Sequence, residues 1–193
     1  MAVPVNFSHA ARDTGAVVTG IRDDQLGWPT PSPEYTVGDL LDHVDALSFG
    51  FQLSALKSAP PPGHEPLPIA DASQLAVGWR ERIPNQLTAL ARAWAGEDAW
   101  EGRTVAGGVS LTGTEAGMFA LDEIIVHGWD LARSTGQDFN PDARAVEACA
   151  EFLLSRPRKL EIFGPEVPVS DAASPLDRLI GLTGRDPDWE PDI

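Results

Sequence analysis

The sequence predicts an all-α fold, an antiparallel four-helix bundle with additional C-terminal helices and minor extended segments. Three observations carry that expectation. Apolar residues recur at helical spacing in four long stretches, helix-capping signals open several of them, and long proline- or glycine-rich segments separate them.

The first helix is expected over residues 7–21, where Phe7, Ala10, Ala11, Thr14, Val17, Val18 and Ile21 share a face. Gly15 and Gly20 weaken it, and Arg22, Asp23 and Asp24 break the pattern. Residues 28–35, WPTPSPEY, cannot be regular helix, because each proline restricts itself and its predecessor. Thr36 then offers an N-cap with Asp39 three residues on, an acidic capping-box variant. Val37, Leu40, Leu41, Val44, Leu47 and Phe51 form the buried stripe of this second helix, which should fade before the Pro60-Pro61-Pro62-Gly63 linker.

A third helix is expected from Asp71 to about Trp94, with Leu75, Trp79, Ile83, Leu87, Leu90 and Trp94 inward. Pro84 falls inside it and predicts a kink or two shorter helices. Residues 97–110 read as an extended loop with room for a short hairpin. The fourth helix is bracketed by a Thr112/Glu115 capping box and by Gly136. A fifth is expected from Asn140 as N-cap with Pro141 at its first position, buried through Ala145, Val146, Cys149, Phe152 and Leu153. Residues 160–170 read as extended, and Ser174-Pro175 opens a short last helix.

At 193 residues the chain fits one domain, 1–193, with a substantial core that draws on six tryptophans. Twenty-nine acidic against 14 basic residues give a net charge of −15. That balance argues against nucleic-acid binding, which needs a basic footprint, and against docking on anionic lipid. A single cysteine, Cys149, excludes an intrachain disulfide. With no secretory signal pattern and no long apolar run, a soluble cytoplasmic protein is expected.

The chemistry concentrates in the fourth helix. At about 100° per residue, His127 stands about 40° from Glu123 and Asp130 about 20° from it on the other side. Met118, Phe119, Leu121, Ile124, Ile125, Val126, Trp129 and Leu131 fill most of the remaining circumference, the pattern of a buried helix. Burying a carboxylate beside an imidazole costs several kcal/mol unless something pairs with them. A metal ion shared with His43, at the border of the second helix's stripe, meets that demand; so does a closed hydrogen-bond network, and the spacing leaves both open. Asp130 is a candidate to orient a ligand, or equally a helix-end hydrogen-bonding group or a partner of Arg133 or Arg12. Asp42 and Asp45 are expected in solvent, as are His9 and His64, and Cys149 in the core.

PTPSPEYTVGDLLDHV at 29–44 and EIIVHGWDLARSTG at 123–136 together resemble the DinB-like metal-binding superfamily, in particular the actinobacterial branch related to the N-terminal domain of mycothiol-dependent maleylpyruvate isomerase. LTGRDPDW at 182–189 resembles the ending of a stand-alone branch of that group. The resemblance spans essentially the whole chain and implies a DinB-like bundle with His43, Glu123 and His127 as ligands of a divalent metal. Zinc leads, with nickel, cobalt and iron(II) also suited to such a set. It further implies a catalytic site with one open coordination position, at which mycothiol or a similar low-molecular-weight thiol is the co-substrate for S-transfer, conjugation or isomerisation of a small electrophile. Tyr35 stands where a tryptophan is common and Gly38 where a basic residue is common, and 193 residues leave no room for the extra C-terminal domain of the isomerases. Maleylpyruvate itself is therefore not the expected substrate. A metal-dependent hydrolase or other specialised biosynthetic enzyme, and a non-enzymatic metal- or ligand-binding module, are the alternative readings; a homodimer is compatible with any of them.

Overall fold

The computed structural model describes residues 5–62, 70–156, 163–170 and 172–192. In chain order these form α1 (Ser8–Gly20), α2 (Val37–Ala55), α3 (Trp79–Ala93), the single turn α4 (Glu97–Trp100), a hairpin of β1 (Arg103–Ala106) and β2 (Val109–Thr112), α5 (Gly113–Thr135), α6 (Ala143–Leu154) and α7 (Pro175–Leu182). The hairpin pairs Arg103 with Thr112 and Ala106 with Val109 in antiparallel register. No helix among the described residues is long and apolar enough to cross a membrane.

Helices α1, α2, α3 and α5 make the bundle, with α1 and α2 each packed against both α3 and α5. Arg80, at the start of α3, donates to the Ile21 carbonyl just past the end of α1, so these two run antiparallel. Near the end of α2, Ser54 bonds hairpin residues Thr104 and Val105, while His43 nearer its start faces Glu123, so α2 and α5 are antiparallel too. The other contacts join helices of like direction. Arg82 donates to Asp45, Gln52 to Gln86 and the Trp94 indole to the Phe51 carbonyl between α2 and α3; Thr14 donates to Ile124 and Gln137 to Val17 between α1 and α5. The bundle is thus two antiparallel pairs side by side, and the connection from α2 to α3 has to span its length.

Most termini are where the caps place them. Thr36 accepts from the Asp39 N–H and Thr112 from the Glu115 N–H, both in reciprocal boxes, and Ser174 does the same with Asp177. Gly136, at φ 68°, ends α5 in the left-handed conformation that a side chain disfavours. Close approach of α1 to α5 requires Gly128, where an added Cβ would lie 2.4 Å from Thr14 Oγ1 and 2.8 Å from the Phe139 ring. Phe7 stacks on Trp94 at 5.8 Å, and Trp100 meets both edge-on, closing the core at the hairpin end.

Two expected helix starts are corrected. Helix α3 starts at Trp79, not Asp71; Asp71 instead caps a 3₁₀ turn, Ala72–Gln74, whose backbone N–H groups dock on Asp39 and Asp42 of α2. Helix α3 runs through Pro84 as one helix, not as two shorter ones, and Pro84 faces Gly15 of α1 without a clash. Helix α6 begins at Ala143 rather than after Asn140, since Phe139 packs over Gly128 and holds the link out of helix. The turn α4 was not anticipated, whereas the hairpin was. His64, Gly63 and residues 160–162 lie outside the described residues.

Candidate metal centre

Helix α5 is buried almost all round, as its composition implies, and α2 brings the second turn of its own helix against it. His127 Nε2 lies 2.9 Å from Glu123 Oε2, and His43 Nε2 approaches the same oxygen at 3.9 Å. The two imidazoles stand at 88° to one another with centroids 5.0 Å apart. One donor atom from each of His43, Glu123 and His127 falls within 4.8 Å of the others. Donors at about 2.1 Å from a tetrahedral ion stand roughly 3.4 Å apart, between the 2.9 and 3.9 Å that separate Glu123 Oε2 from the two imidazole nitrogens. Two imidazoles and a carboxylate are also the right chemistry for one.

Glu123 and His127 hold opposite charges when left to themselves. Burial works against ionising Glu123, yet the imidazole of His127 at 2.9 Å and that of His43 at 3.9 Å more than offset it and hold its carboxyl well below the usual range. Burial likewise opposes a charged His127, but Asp130 on one side and Glu123 on the other raise it to about 9. At neutral pH the imidazolium therefore fills the role that a cation would take.

Behind His127 stands a second layer. Its Nδ1 meets Asp130 Oδ2 at 2.9 Å, and Asp130 is fully buried. Arg185, from the segment after α7, grips Asp130 with Nε and Nη2. Burial opposes ionising Asp130, and this guanidinium outweighs it, keeping the group a carboxylate. Of the partners weighed from sequence, His127 is the one observed; Arg12 pairs with Asp13, and Arg133 lies over Trp129 and donates to the Trp189 carbonyl.

Tyr35 covers His43, ring centroids 5.9 Å apart. Gly38 lacks the side chain common at its position for a steric reason: a Cβ there would lie 2.9 Å from Ala72 Cβ and 3.2 Å from the Leu26 carbonyl oxygen. Asp42 and Asp45 are not free in solvent as expected. Asp45 is buried and bonded to Arg82 at 2.6 Å, and Asp42 accepts the Asp71 N–H. His9 is exposed and Cys149 buried, as expected.

Two residues escaped the sequence reading. Arg185 sits in the quoted LTGRDPDW string, but nothing local links it to Asp130. Asp122 precedes Glu123, is fully buried, and neither of its carboxylate oxygens has a partner among the described residues. Burial, with the Glu123 charge beside it, pushes its carboxyl up to about 8. A helix without a solvent face leaves no hydrated place for an aspartate, and that signal was available.

A DinB-like helical bundle with an imidazole–carboxylate–imidazole cluster across two helices is the class that fold and geometry define. The family model described as the mycothiol maleylpyruvate isomerase N-terminal domain matches residues 7–132, well over half of the chain, and the protein belongs to that family. An uncharacterized protein of two Mycobacterium tuberculosis strains is 29% identical over 191 residues, covering 94% of this chain and 97% of the relative. The crystal structure of a mycothiol-dependent maleylpyruvate isomerase superposes with a TM-score of 0.55 at 18% identity, over 75% of this chain and 63% of that one. A point mutant of that isomerase gives 0.55 at 16%. At such identities the likeness establishes the fold, and the chain spans 63% of the solved enzyme.

Proposed function

We propose that this protein is a cytoplasmic single-domain enzyme that binds a divalent metal, zinc first, through His43, Glu123 and His127. It uses a low-molecular-weight thiol of the mycothiol type for S-transfer, conjugation or isomerisation of a small electrophile. The observation that carries the reading is the approach of two imidazole Nε2 atoms from different helices to one carboxylate oxygen, with Asp130 behind one of them. Membership of a family described by mycothiol chemistry supports the thiol.

In this reading Asp130 holds the Nδ1 proton of His127, so the Nε2 lone pair is the one presented to the centre. Glu123 supplies the anionic donor, and Tyr35 limits where the His43 ring can turn. A bound divalent cation would supply the positive charge that keeps a thiol deprotonated at neutral pH.

Elemental analysis of protein purified without added metal, followed by incubation with an electrophilic aromatic with and without thiol, tests both halves. The expected results are about one metal per chain and turnover only with thiol. Glu123→Ala and His127→Ala should lose the metal while keeping helix content; full metal content in either would refute the ligand set. Thiol-independent turnover would refute the thiol and favour a hydrolase.

A further inference from the structure

Arg185 reaches the cluster from outside the span that the family match covers, which ends at residue 132. Its course is set locally. Gly184, at φ 82°, turns the chain after α7 past Gly164, to within 2.8 Å of where a Cβ would stand, and the Arg185 N–H closes back on the Ile180 carbonyl. The side chain that emerges is only 11% exposed. It makes contacts in two directions.

The first runs into α5. Nε meets Asp130 Oδ1 at 2.9 Å and Nη2 meets Oδ2 at 2.9 Å, a side-on fork that lysine cannot reproduce. Asp130 Oδ2 also accepts from His127 Nδ1 at 2.9 Å. The carboxylate cannot rotate without breaking one side of this chain, so the plane of the His127 ring is fixed from behind. The second contact runs to the loop before α2. Nη2 reaches Ser32 Oγ at 3.0 Å. That loop is drawn tight by Thr30 Oγ1, which donates to the Ser32 and Tyr35 carbonyls, and by a bridge between Pro29 and Thr36. Its last residue but one, Tyr35, lies over His43.

We propose that Arg185 is a positioning residue for both imidazoles, holding His127 through Asp130 and His43 through the Ser32–Tyr35 loop, so that the C-terminal segment completes the centre. The inference rests on the reading of His43, Glu123 and His127 as ligands. Groups that orient a liganding histidine from behind raise affinity by removing the cost of ordering it on binding. Arg185 acts on the two rings at once and from behind, whereas Glu123 meets both from the side of the centre.

Cobalt(II) alone is the probe, with its dissociation constant measured by competition against a chelating dye and its visible d–d bands recorded, both on the full chain. Arg185→Gln should weaken binding about 10–100-fold and change the bands. Asp130→Asn should do the same, and adding Arg185→Gln to it should weaken binding only by the share of the loop contact, about 5-fold further, because through Asp130 the two act in series. Ser32→Ala, which removes only the loop contact, should cost about 5-fold, and Arg185→Lys should fall between wild type and Arg185→Gln. Wild-type affinity in Arg185→Gln, or effects of Arg185→Gln and Asp130→Asn that multiply, would overturn the proposal even if stability fell. If Arg185→Gln does not fold, wild-type affinity in both Ser32→Ala and Arg185→Lys overturns it instead. Cobalt binding by wild type that survives in His127→Ala would show that the ligand assignment itself is wrong, and the proposal would fall with it.

Discussion

Replacing Asp122 by asparagine should stabilise the metal-free protein, and more so as the pH rises. The aspartate is fully buried, with neither oxygen partnered among the described residues, so its proton is retained in the folded state up to about pH 8, against an ordinary value near 3.8. The unfolded chain releases that proton at the lower value. The folded state therefore binds more protons through this window; the stability the group contributes is full below about 3.8 and is lost as pH rises to about 8. Each pH unit is worth ~1.4 kcal/mol. Starting near pH 5.5, clear of the isoelectric point near 4.4, the change up to pH 8 has an upper bound of about 3 kcal/mol by the same relation. Local relaxation and water entry on ionisation reduce it, so a gain of about 1–3 kcal/mol is expected. Asparagine is isosteric and cannot ionise, so its own orphaned polar atoms cost about as much at every pH. Urea unfolding of both proteins in chelator, followed by circular dichroism between about pH 5.5 and 8.5, gives the difference directly. A difference that does not change with pH, or one that moves against the variant as pH rises, would refute the argument that Asp122 is a buried, unpaired acid.

Because Asp130 and Glu123 raise His127 to about 9, binding a metal there has to displace a proton; zinc affinity should rise with pH up to about 9, with proton release detectable by calorimetry in two buffers of different ionisation enthalpy. Chelation should leave far-UV circular dichroism nearly unchanged and lower Tm by only several degrees, since the core around Trp94, Leu87 and Leu121 does not depend on the cluster; loss of folded structure on chelation would make the centre a structural staple. Gly128→Ala should destabilise by about 1–3 kcal/mol in urea unfolding, because the added methyl would lie 2.4 Å from Thr14 Oγ1. Thr112→Ala should cost about 1 kcal/mol through the lost cap. The Thr112 backbone N–H, Arg156 and the Thr112 hydroxyl hold Glu115 at about 2, so its contribution is present above about 4.5 and lost as pH falls through about 2; Thr112→Ala removes the hydroxyl, and its acid-unfolding midpoint should shift upward.

The helices and the Glu123/His127 pair were legible because each leaves a local mark, whereas His43 joined them through the family resemblance. Thr112 with Glu115, Thr36 with Asp39 and Ser174 with Pro175 announce helix starts through backbone groups that need partners, and the all-round apolar surface of α5 announces burial. The start of α3 misled, since Asp71 caps a turn as well as it would cap a helix, and only its docking on Asp39 and Asp42 shows which. Asp45 looked solvent-bound because nothing in α2 predicts Arg82 of α3 beside it.

What the sequence determined by itself is therefore whatever is settled within a few turns of one helix: periodicity, caps, and the shared face of Glu123, His127 and Asp130. The tertiary structure alone decided what meets across the chain. It brought His43 to within 3.9 Å of Glu123, placed Tyr35 over that histidine, and delivered Arg185 to Asp130 over a separation of 55 residues. The physical reason is that a helical pattern fixes the angle between neighbours on one cylinder, whereas contacts between cylinders depend on packing choices, such as the Gly128 notch that admits Thr14 of α1.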